Sequence, residues 1–330
     1  LRIIGRAGVG VDNVDVPAAT QRGVLVVNSP EGNTIAAAEH ALALLLSLSR
    51  HVPQAHASMR AGAWDRKKYV GNELYKKVLG VVGLGKIGSH VAKVAKAMGM
   101  EVIAFDPFIS ADRAQQMQVR LTTLEDLFRQ ADYITLHIPR TPDTENLVNA
   151  ELLRSMKSTA RIVNCARGGI VDEAAIAEAI DNGVIAGAGL DVFASEPLDQ
   201  DSPLRAVERG LVLTPHLGAS TEEAQENVAT DVAEQIRDVL LGLPARSAVN
   251  IPGLSAEIME RLKPHLQLAE TLGLLVSQLS GGQVQELEVR LQGEFANHPS
   301  QPLVVAALKG LLTSALGERI NYVNASLEAK

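Results

Sequence analysis

The stretch Lys77-Val-Leu-Gly-Val-Val-Gly-Leu-Gly-Lys-Ile-Gly88 decides the fold of this 330-residue chain. Within it, the apolar run Val78–Val82 leads into glycines at positions 83, 85 and 88, and apolar residues then recur at helical spacing as far as Met98. A second apolar run, Glu101–Phe105, is followed directly by Asp106. This order predicts a βαβ unit that binds a dinucleotide, because it gives a strand, a glycine turn, a helix, a second strand and then an acid.

Each residue of this fingerprint has a physical task. Gly83 permits the tight turn, Gly85 lets the backbone approach a pyrophosphate, and Gly88 lets the helix pack closely on the strand. The helix that begins near Lys86 offers unpaired N–H groups and its positive dipole end to the phosphates. Asp106 would accept hydrogen bonds from the adenosine ribose and repel a 2′-phosphate, which favours NAD over NADP. The alternative is an ordinary βαβ unit with a glycine turn.

Composition bounds the class of protein. With 46% apolar residues, 21% charged residues and a formal net charge of −7, the chain is typical of a globular protein of about two domains, and it lacks the basic surface that nucleic acid requires. Its one cysteine, Cys165, allows no disulfide framework, and no HExxH pattern indicates a metal. The longest apolar stretch, Ala36–Leu48, is interrupted by Glu39 and His40 and is too short to span a bilayer. No signal peptide is visible, so we expect a cytoplasmic protein without membrane contacts.

Strand-like and helix-like runs alternate from Leu79 to about Leu241. Capping patterns mark several helix starts, at Thr123, Asp172 and Ser220–Glu223. The strand-like runs are almost continuously apolar, as in a parallel sheet covered on both faces: Leu79–Val82, Glu101–Phe105, Tyr133–His137, Arg161–Asn164, Ile185–Leu190 and Leu211–Thr214. This order predicts a doubly wound, Rossmann-type α/β domain.

The rest of the chain is organised differently. Asn33 would cap a long apolar helix over Thr34–Arg50, and Thr221–Leu241 has the spacing of one amphipathic helix. After an expected linker at Asn250–Gly253, the tail predicts a small separate α/β unit with helices at Ala256–Leu279 and Pro302–Leu316 and a strand at Glu286–Leu291. Because the chain begins inside a strand-like run and ends without a stop signal, we expect a fragment at both ends.

Polar residues follow three strands of the predicted sheet at their carboxyl ends, where ligands bind in open α/β sheets. They are Arg167, Asp191, Glu196 and His216, a set that suits hydride transfer at a carbon bearing a hydroxyl. An imidazole titrates close to neutral pH, so His216 is the natural proton acceptor, and Glu196 would hold its ring. Arg167 would bind a carboxylate in bidentate fashion, and Asp191 would receive the nicotinamide carboxamide.

Each of these residues also has a purely structural interpretation. His216 would then be a packed or capping residue, Arg167 a loop arginine in a surface ion pair, Asp191 a helix cap and Glu196 part of a turn. Cys165 is expected to be a small buried residue, because nothing near it in the sequence marks it as a nucleophile.

Four runs carry a resemblance to a known family, namely Gly5–Asp15, Asn164–Glu173, Gly189–Phe193 and Pro215–Gln225. Over residues 1 to about 250, the chain resembles the D-isomer-specific 2-hydroxyacid dehydrogenases, in particular the members that oxidise 3-phospho-D-glycerate. Residues 250 to 330 resemble the intervening domain of the long form of those enzymes. The resemblance implies NAD-dependent oxidation of 3-phospho-D-glycerate to 3-phosphohydroxypyruvate, the first step of L-serine biosynthesis, by a homo-oligomer, either a dimer or a tetramer.

The resemblance also implies roles for individual residues. Arg167 would be the substrate-binding catalytic arginine, Glu196 the partner of the histidine, and His216 the general acid and base. Arg6 and Gly8 would face the substrate. The NAD site would consist of Val9, Gly83, Gly85, Lys86, Ile87, Gly88, Asp106, Ile138, Cys165, Ala166, Arg167, Asp191, His216, Leu217, Gly218 and Ala219.

Three domains follow from the same resemblance. Residues 1–30 and 213–245 would form part of a flavodoxin-like substrate-binding domain, residues 31–212 the NAD-binding domain, and residues 246–330 an incomplete intervening domain. Because most of the substrate domain would be missing, we expect the chain as given to bind NAD but to turn over poorly.

The basic run Arg66–Lys68 is either a solvated surface or a group near a dimer partner's substrate phosphate.

Two other functions stay open. One is a different D-2-hydroxyacid dehydrogenase, such as a glyoxylate or hydroxypyruvate reductase. The other is a non-catalytic, NAD-sensing corepressor of the same fold, which could retain Arg167, Glu196 and His216. The resemblance of the tail to an intervening domain favours the 3-phospho-D-glycerate enzyme over both.

Overall fold

A computed structural model describes residues 1–251, 256–281, 284–293 and 300–330. These residues form two compact units. The central unit is Asn33–Ala224, and the flanking unit is Leu1–Gly32 together with Gln225–Lys330. The strands are β1 (Ile3–Arg6), β2 (Leu25–Asn28), β3 (Val78–Val82), β4 (Glu101–Phe105), β5 (Arg120–Leu121), β6 (Tyr133–Leu136), β7 (Arg161–Asn164), β8 (Gly187–Leu190) and β9 (Leu211–Leu213). The helices are α1 (Val16–Gln21), α2 (Thr34–Arg50), α3 (Val52–Arg60), α4 (Lys86–Ala97), α5 (Ala111–Gln116), α6 (Leu124–Gln130), α7 (Ala150–Arg154), α8 (Glu173–Asp181), α9 (Glu222–Leu240), α10 (Ala256–Ser280), α11 (Gln301–Leu316) and α12 (Ala325–Glu328).

A seven-stranded parallel sheet, in the order β5-β4-β3-β6-β7-β8-β9, forms the central unit. The chain runs outward from β3 to β5 and then crosses back, so that β6 pairs with the other side of β3. At this point Val82 pairs with Phe105 on one side and with Leu136 on the other. Ligands in such sheets bind beyond the carboxyl ends of the strands, at the place where the strand order reverses. The predicted Rossmann-type α/β fold is confirmed.

Successive residues of the central strands enter two different hydrophobic clusters. Ile134 and Ile162 pack with residues of α6, α7 and α8, whereas their neighbours Tyr133 and Val163 pack with residues of α2 and α4. This alternation is what side chains of a strand impose, because they point to opposite faces in turn. Both faces of the sheet are therefore covered by helices, which explains why the strands are apolar throughout.

Helix starts in the central unit agree with most of the predicted caps. The Thr123 side chain accepts a hydrogen bond from the Asp126 N–H, and Asp172 accepts from the N–H groups of residues 174 and 175. At α9 the cap is Thr221, whose Oγ1 accepts from Ala224 N–H at 3.1 Å. Asn33 stands at the cap position of α2, but its side chain makes no capping bond, so that helix depends on its buried apolar face.

The flanking unit has a two-stranded parallel sheet, in which Ile3 of β1 pairs with Leu25 of β2. Helix α9 packs on it so closely that a Cβ on Gly5 would lie 2.4 Å from the Val232 side chain. Asn250, which was expected to lie in a linker, instead ties the chain to β2, because its Oδ1 accepts from Val26 N–H at 2.9 Å. The rest of that expected linker lies partly outside the described residues.

The described part of the tail of the flanking unit is mainly helical. Helices α10 and α11 pack at glycines: a Cβ on Gly273 would lie 2.1 Å from the Ala307 carbonyl oxygen, and one on Gly310 would lie 1.9 Å from that of Glu270. The strand predicted over Glu286–Leu291 is wrong, because residues 284–292 form no strand. Alternation alone does not make a strand, since a strand needs a neighbour to pair with. Among the described residues, no helix is both long and apolar enough to cross a membrane.

Candidate active site

The glycine loop between β3 and α4 is shaped by the absence of side chains. Gly83 has φ +92°, and a Cβ there would lie 2.5 Å from the His137 carbonyl oxygen. A Cβ on Gly88 would lie 2.0 Å from the Gly83 carbonyl oxygen, whereas one on Gly85 would meet no protein atom within 4 Å. Gly85 is also the cap residue of α4, without a side-chain hydrogen bond to the first turn. The loop therefore leaves an open space in front of the N–H groups that begin α4.

Asp106 is held at the rim of this loop. Its Oδ2 accepts a hydrogen bond from Leu84 N–H at 2.7 Å, and its Oδ1 accepts from Phe108 N–H at 2.8 Å. On the opposite side, Ile138 follows β6 and lies against Gly83, where an added Cβ would come within 2.9 Å of its Cγ2. The structure thus brings Asp106, Ile138 and the glycine loop together, as the strand order predicts.

The Arg167 loop follows β7 and is folded by the buried side chain of Asn164. Its Oδ1 accepts from Ala166 N–H at 3.0 Å, and its Nδ2 donates to the Arg167 carbonyl at 2.9 Å. Gly168 lets this loop pack on the next one, because a Cβ there would lie 1.7 Å from the Phe193 carbonyl oxygen. The half-buried Arg167 side chain donates from Nη1 to the Ala166 carbonyl at 2.7 Å.

His216 and Glu196 form a short hydrogen bond. His216 Nδ1 lies 2.6 Å from Glu196 Oε2, and both side chains are partly exposed. Glu196 is itself positioned, since its Oε1 accepts from Phe193 N–H at 3.0 Å. The second ring nitrogen of His216, Nε2, is left on the opposite side of the ring from the carboxylate. This arrangement can accept a proton at Nε2 while the carboxylate stabilises the resulting positive charge.

Asp191 is fully buried and organises the loop that carries His216. Its carbonyl accepts from His216 N–H at 2.8 Å, its Oδ1 accepts from Leu217 N–H at 2.7 Å, and its Oδ2 accepts from Gly218 N–H at 2.8 Å. Burial raises the pKa of Asp191, but hydrogen bonds from His40, Thr214 and Leu217 outweigh it and lower the pKa below the usual value. These contacts occupy the carboxylate within the protein, and contact with a carboxamide stays a prediction.

Three residues of this site were missed from the sequence, namely His40, Asn164 and Thr214. His40 Nε2 lies 3.1 Å from Asp191 Oδ1 and 3.0 Å from Thr214 Oγ1. The available signal was a pair of polar residues, Glu39 and His40, that interrupts the apolar stretch Ala36–Leu48. Cys165 was expected to be a small buried residue and is only partly buried, but burial raises the pKa of its thiol, and so does the charge of Asp191.

The remaining predicted residues divide between the two units. Lys86, Ile87, Ala166 and Ala219 lie in the central unit, the first two at the start of α4 and the other two in the loops after β7 and β9. Arg6, Gly8 and Val9 lie in the flanking unit, where Gly8 has φ +146° and Ser29 N–H donates to its carbonyl at 3.0 Å. Asn28 Nδ2 donates to the Val9 carbonyl at 2.6 Å. Arg66–Lys68 form part of a short 3-10 turn with exposed side chains. Their roles toward a substrate stay predictions.

Comparison with known proteins identifies both parts of the chain. Residues 42–218 match the family described as D-isomer specific 2-hydroxyacid dehydrogenase, NAD binding domain, and residues 261–330 match the D-3-phosphoglycerate dehydrogenase intervening domain. The D-3-phosphoglycerate dehydrogenase of Synechocystis sp. is 66% identical, over 100% of this chain and 59% of its own length. That of Bacillus subtilis is 47% identical, over 100% of this chain and 62% of its own.

A solved structure of similar fold comes from the same kind of enzyme. The D-lactate dehydrogenase of Aquifex aeolicus, complexed with NAD and lactic acid, superposes with a TM-score of 0.69 at 28% identity, over 77% of this chain and 81% of that chain. The present chain spans 59% and 62% of the length of the two curated relatives above.

Proposed function

The chain belongs to the D-isomer-specific 2-hydroxyacid dehydrogenases, and from that premise we propose that its protein oxidises 3-phospho-D-glycerate to 3-phosphohydroxypyruvate with NAD⁺. The observation that carries the chemistry is the 2.6 Å hydrogen bond between His216 Nδ1 and Glu196 Oε2 at the carboxyl end of the sheet. An acid–base pair of this kind, next to a dinucleotide-binding loop, suits the removal of a hydroxyl proton during hydride transfer.

The residues present fit NAD. Gly85 leaves space where a Cβ would stand, and the open first turn of α4 presents N–H groups to a pyrophosphate. Asp106 is fixed at the end of β4, where it would accept from the adenosine ribose and disfavour a 2′-phosphate. Bound NAD⁺ would supply the acceptor for the hydride that leaves the carbon bearing the substrate hydroxyl. We propose that Ile138, Cys165, Ala166 and the residues from 216 to 219 line that end of the site.

The side chains of the site supply the rest of the reaction. His216 Nε2 accepts the hydroxyl proton as the C–H bond breaks and the carbonyl forms, and Glu196 stabilises the imidazolium. In the reverse direction His216 returns the proton to the carbonyl oxygen. Arg167 binds the substrate carboxylate and polarises the adjacent carbonyl, because a guanidinium presents two parallel donors to a carboxylate.

The curated relatives and residues 261–330 support the choice of substrate. Both curated relatives named above are D-3-phosphoglycerate dehydrogenases, and residues 261–330 match that enzyme's intervening domain. This match supports 3-phospho-D-glycerate, and with it a place in L-serine biosynthesis, over the glyoxylate or hydroxypyruvate reductase and the corepressor. Arg6 and Gly8 are proposed to face the substrate, and a homo-oligomer, a cytoplasmic location and the three-domain division stay predictions.

Turnover by the full-length protein tests the proposal. NADH formation is followed by absorbance with 3-phospho-D-glycerate, D-glycerate and D-lactate, and NADH consumption with glyoxylate and hydroxypyruvate. We expect kcat/KM for the phosphorylated substrate to exceed that for D-glycerate by at least about 100-fold, because a site built for a charged group rejects an analogue that lacks it. Faster reduction of glyoxylate or hydroxypyruvate would favour the reductase. NADH binding without turnover of any of these substrates would favour the corepressor.

A further inference from the structure

His40 connects the long helix α2 with the loop that carries the catalytic histidine. It lies 151 residues before Asp191 in the sequence, and its side chain is mostly buried, at 19% exposure. Its Nε2 lies within hydrogen-bonding distance of both Asp191 Oδ1 and Thr214 Oγ1. A polar ring buried in an apolar helix costs free energy unless its hydrogen bonds compensate, so these two contacts are the reason that a histidine is tolerated there.

The partners of His40 determine which ring nitrogen carries the proton. An ionised carboxylate only accepts hydrogen bonds, so Nε2 must donate to Asp191. Thr214 Oγ1 donates its own hydrogen to Asp191 Oδ1 at 2.6 Å, which leaves its oxygen lone pairs facing Nε2. His40 Nε2–H is therefore shared between the carboxylate and the threonine hydroxyl. Asp191 Oδ1 in turn receives a third donor, the Leu217 N–H.

Asp191 connects His40 to the backbone of His216 through hydrogen bonds. Its backbone carbonyl accepts from His216 N–H, and its two carboxylate oxygens accept from the N–H groups of Leu217 and Gly218. His216 has φ +56°, in the left-handed region that a non-glycine residue rarely adopts. Such a conformation persists only where its surroundings determine it. A carboxylate that is poorly held would therefore loosen the backbone on which the catalytic imidazole stands.

We propose that His40 is a positioning residue: its Nε2–H fixes Asp191 and Thr214, and through them sets the place of the His216 ring. This inference rests on the proposed function, because it concerns the same histidine. His40 itself touches neither the substrate nor the reacting atoms.

Two variants remove the donor and one restores it. His40→Leu has no polar atom, and His40→Asn is too short to place its amide where Nε2 lies. The amide nitrogen of His40→Gln extends to nearly the same place as Nε2 and donates. In the full-length protein we expect kcat with 3-phospho-D-glycerate to fall about 10- to 100-fold in the leucine and asparagine variants, since small misplacements of a catalytic group have effects of this size. The glutamine variant recovers most of the loss, and NADH affinity stays close to wild type in all three.

Ser49→Ala is the matched control. Ser49 is also a buried polar residue of α2, and its Oγ donates to the Leu45 carbonyl at 2.7 Å and lies 3.0 Å from the Tyr133 hydroxyl. Its loss removes hydrogen bonds from the same helix and the same central unit, but none that reaches Asp191. We expect Ser49→Ala to lower Tm without changing kcat.

Hydrogen–deuterium exchange gives a readout that does not depend on turnover. Peptides covering residues 214–219 should exchange faster in His40→Leu and His40→Asn than in wild type, and at the wild-type rate in His40→Gln and Ser49→Ala. Equal kcat and equal exchange in wild type and His40→Asn would overturn the inference, as would a loss that His40→Gln does not rescue. Absence of turnover in the wild type, together with the predicted exchange pattern, would instead contradict the proposed function and leave the positioning of the loop supported.

Discussion

The two ends of the candidate active site are built in opposite ways. The glycine loop depends on the absence of side chains, because a Cβ on Gly83 or Gly88 would lie 2.5 or 2.0 Å from a carbonyl oxygen. The loops after β7, β8 and β9 instead depend on charged side chains that other groups hold in place. There Glu196 holds the His216 ring, and the buried Asp191 holds its backbone.

This difference has a physical origin. A pyrophosphate is bound by backbone N–H groups, so the loop needs only room and the right turn, and a few neighbouring residues provide both. A proton acceptor must point in one direction, and its orientation depends on partners that come from other strands and helices. The first end is therefore local in sequence, whereas the second is assembled from distant segments.

The largest effect is expected at the catalytic end. In the full-length protein, His216→Asn should lower kcat about 1,000-fold, because the proton acceptor is lost. NADH affinity, measured by fluorescence titration, should fall far less than kcat, because the glycine loop and Asp106 are unchanged. Turnover close to the wild-type rate would show that another group takes the proton.

Two substitutions in the glycine loop should differ in their effect on stability, although both should lower NADH affinity. Gly88→Ala forces a Cβ toward the Gly83 carbonyl, so we expect NADH affinity to fall about 100-fold and Tm to fall with it. Gly85→Ala meets no protein atom within 4 Å and has φ −61°, so its Tm should be unchanged while NADH affinity still falls. A Gly85→Ala variant that binds NADH as tightly as wild type would contradict the assignment of this space to the pyrophosphate.

A smaller effect is expected at Asp106, for which we propose a role in selecting between the two nicotinamide cofactors. Asp106→Asn keeps an oxygen that can accept from Leu84 N–H but removes the negative charge. We expect the ratio of kcat/KM for NAD⁺ to that for NADP⁺ to fall about tenfold, which corresponds to the loss of one charge-assisted hydrogen bond. An unchanged ratio would mean that Asp106 only supports the loop.

The smallest effect is expected at a carboxylate that lies at the amino end of a central strand of the same sheet. Asp132 precedes β6, and although burial raises its pKa, hydrogen bonds from Val78 N–H and Lys157 lower it below the usual value. A folded-state pKa below the unfolded one stabilises the protein above about pH 3.8, and this stabilisation is lost as the pH falls further. Asp132→Asn should therefore lower the free energy of unfolding by about 0.5–1 kcal/mol at neutral pH, and by less near pH 3. Denaturant titrations check this, and kcat should not change.

Local signals were enough to predict much of the central unit. The six predicted strands are present within one or two residues, and the Asp172 cap forms as expected. Signals failed where the structure depends on distant partners. The alternation at Glu286–Leu291 has no strand to pair with, and Asn250 ties to β2 across more than two hundred residues. Short elements such as β5 and α5 were also missed, because a few residues carry little periodicity.

The candidate site follows the same division. One short segment of sequence predicted the glycine loop and Asp106. The structure has the tight turn at Gly83, the open space at Gly85 and the acid beside the loop. Glu196 and His216 were predicted from their places after strands, and the structure brings them into contact. His40 was not predicted, because nothing in an apolar helix tells which loop, 151 residues further on, its polar residue will meet.

The most direct test is the single-turnover rate of hydride transfer in the full-length protein with Glu196→Gln, at saturating NAD⁺ and 3-phospho-D-glycerate. Glutamine keeps the size of the side chain and an acceptor for His216, but it cannot stabilise an imidazolium. We expect the rate to fall at least about 100-fold with NADH affinity unchanged. A rate equal to that of the wild type would contradict the central claim that the His216–Glu196 pair carries the proton chemistry.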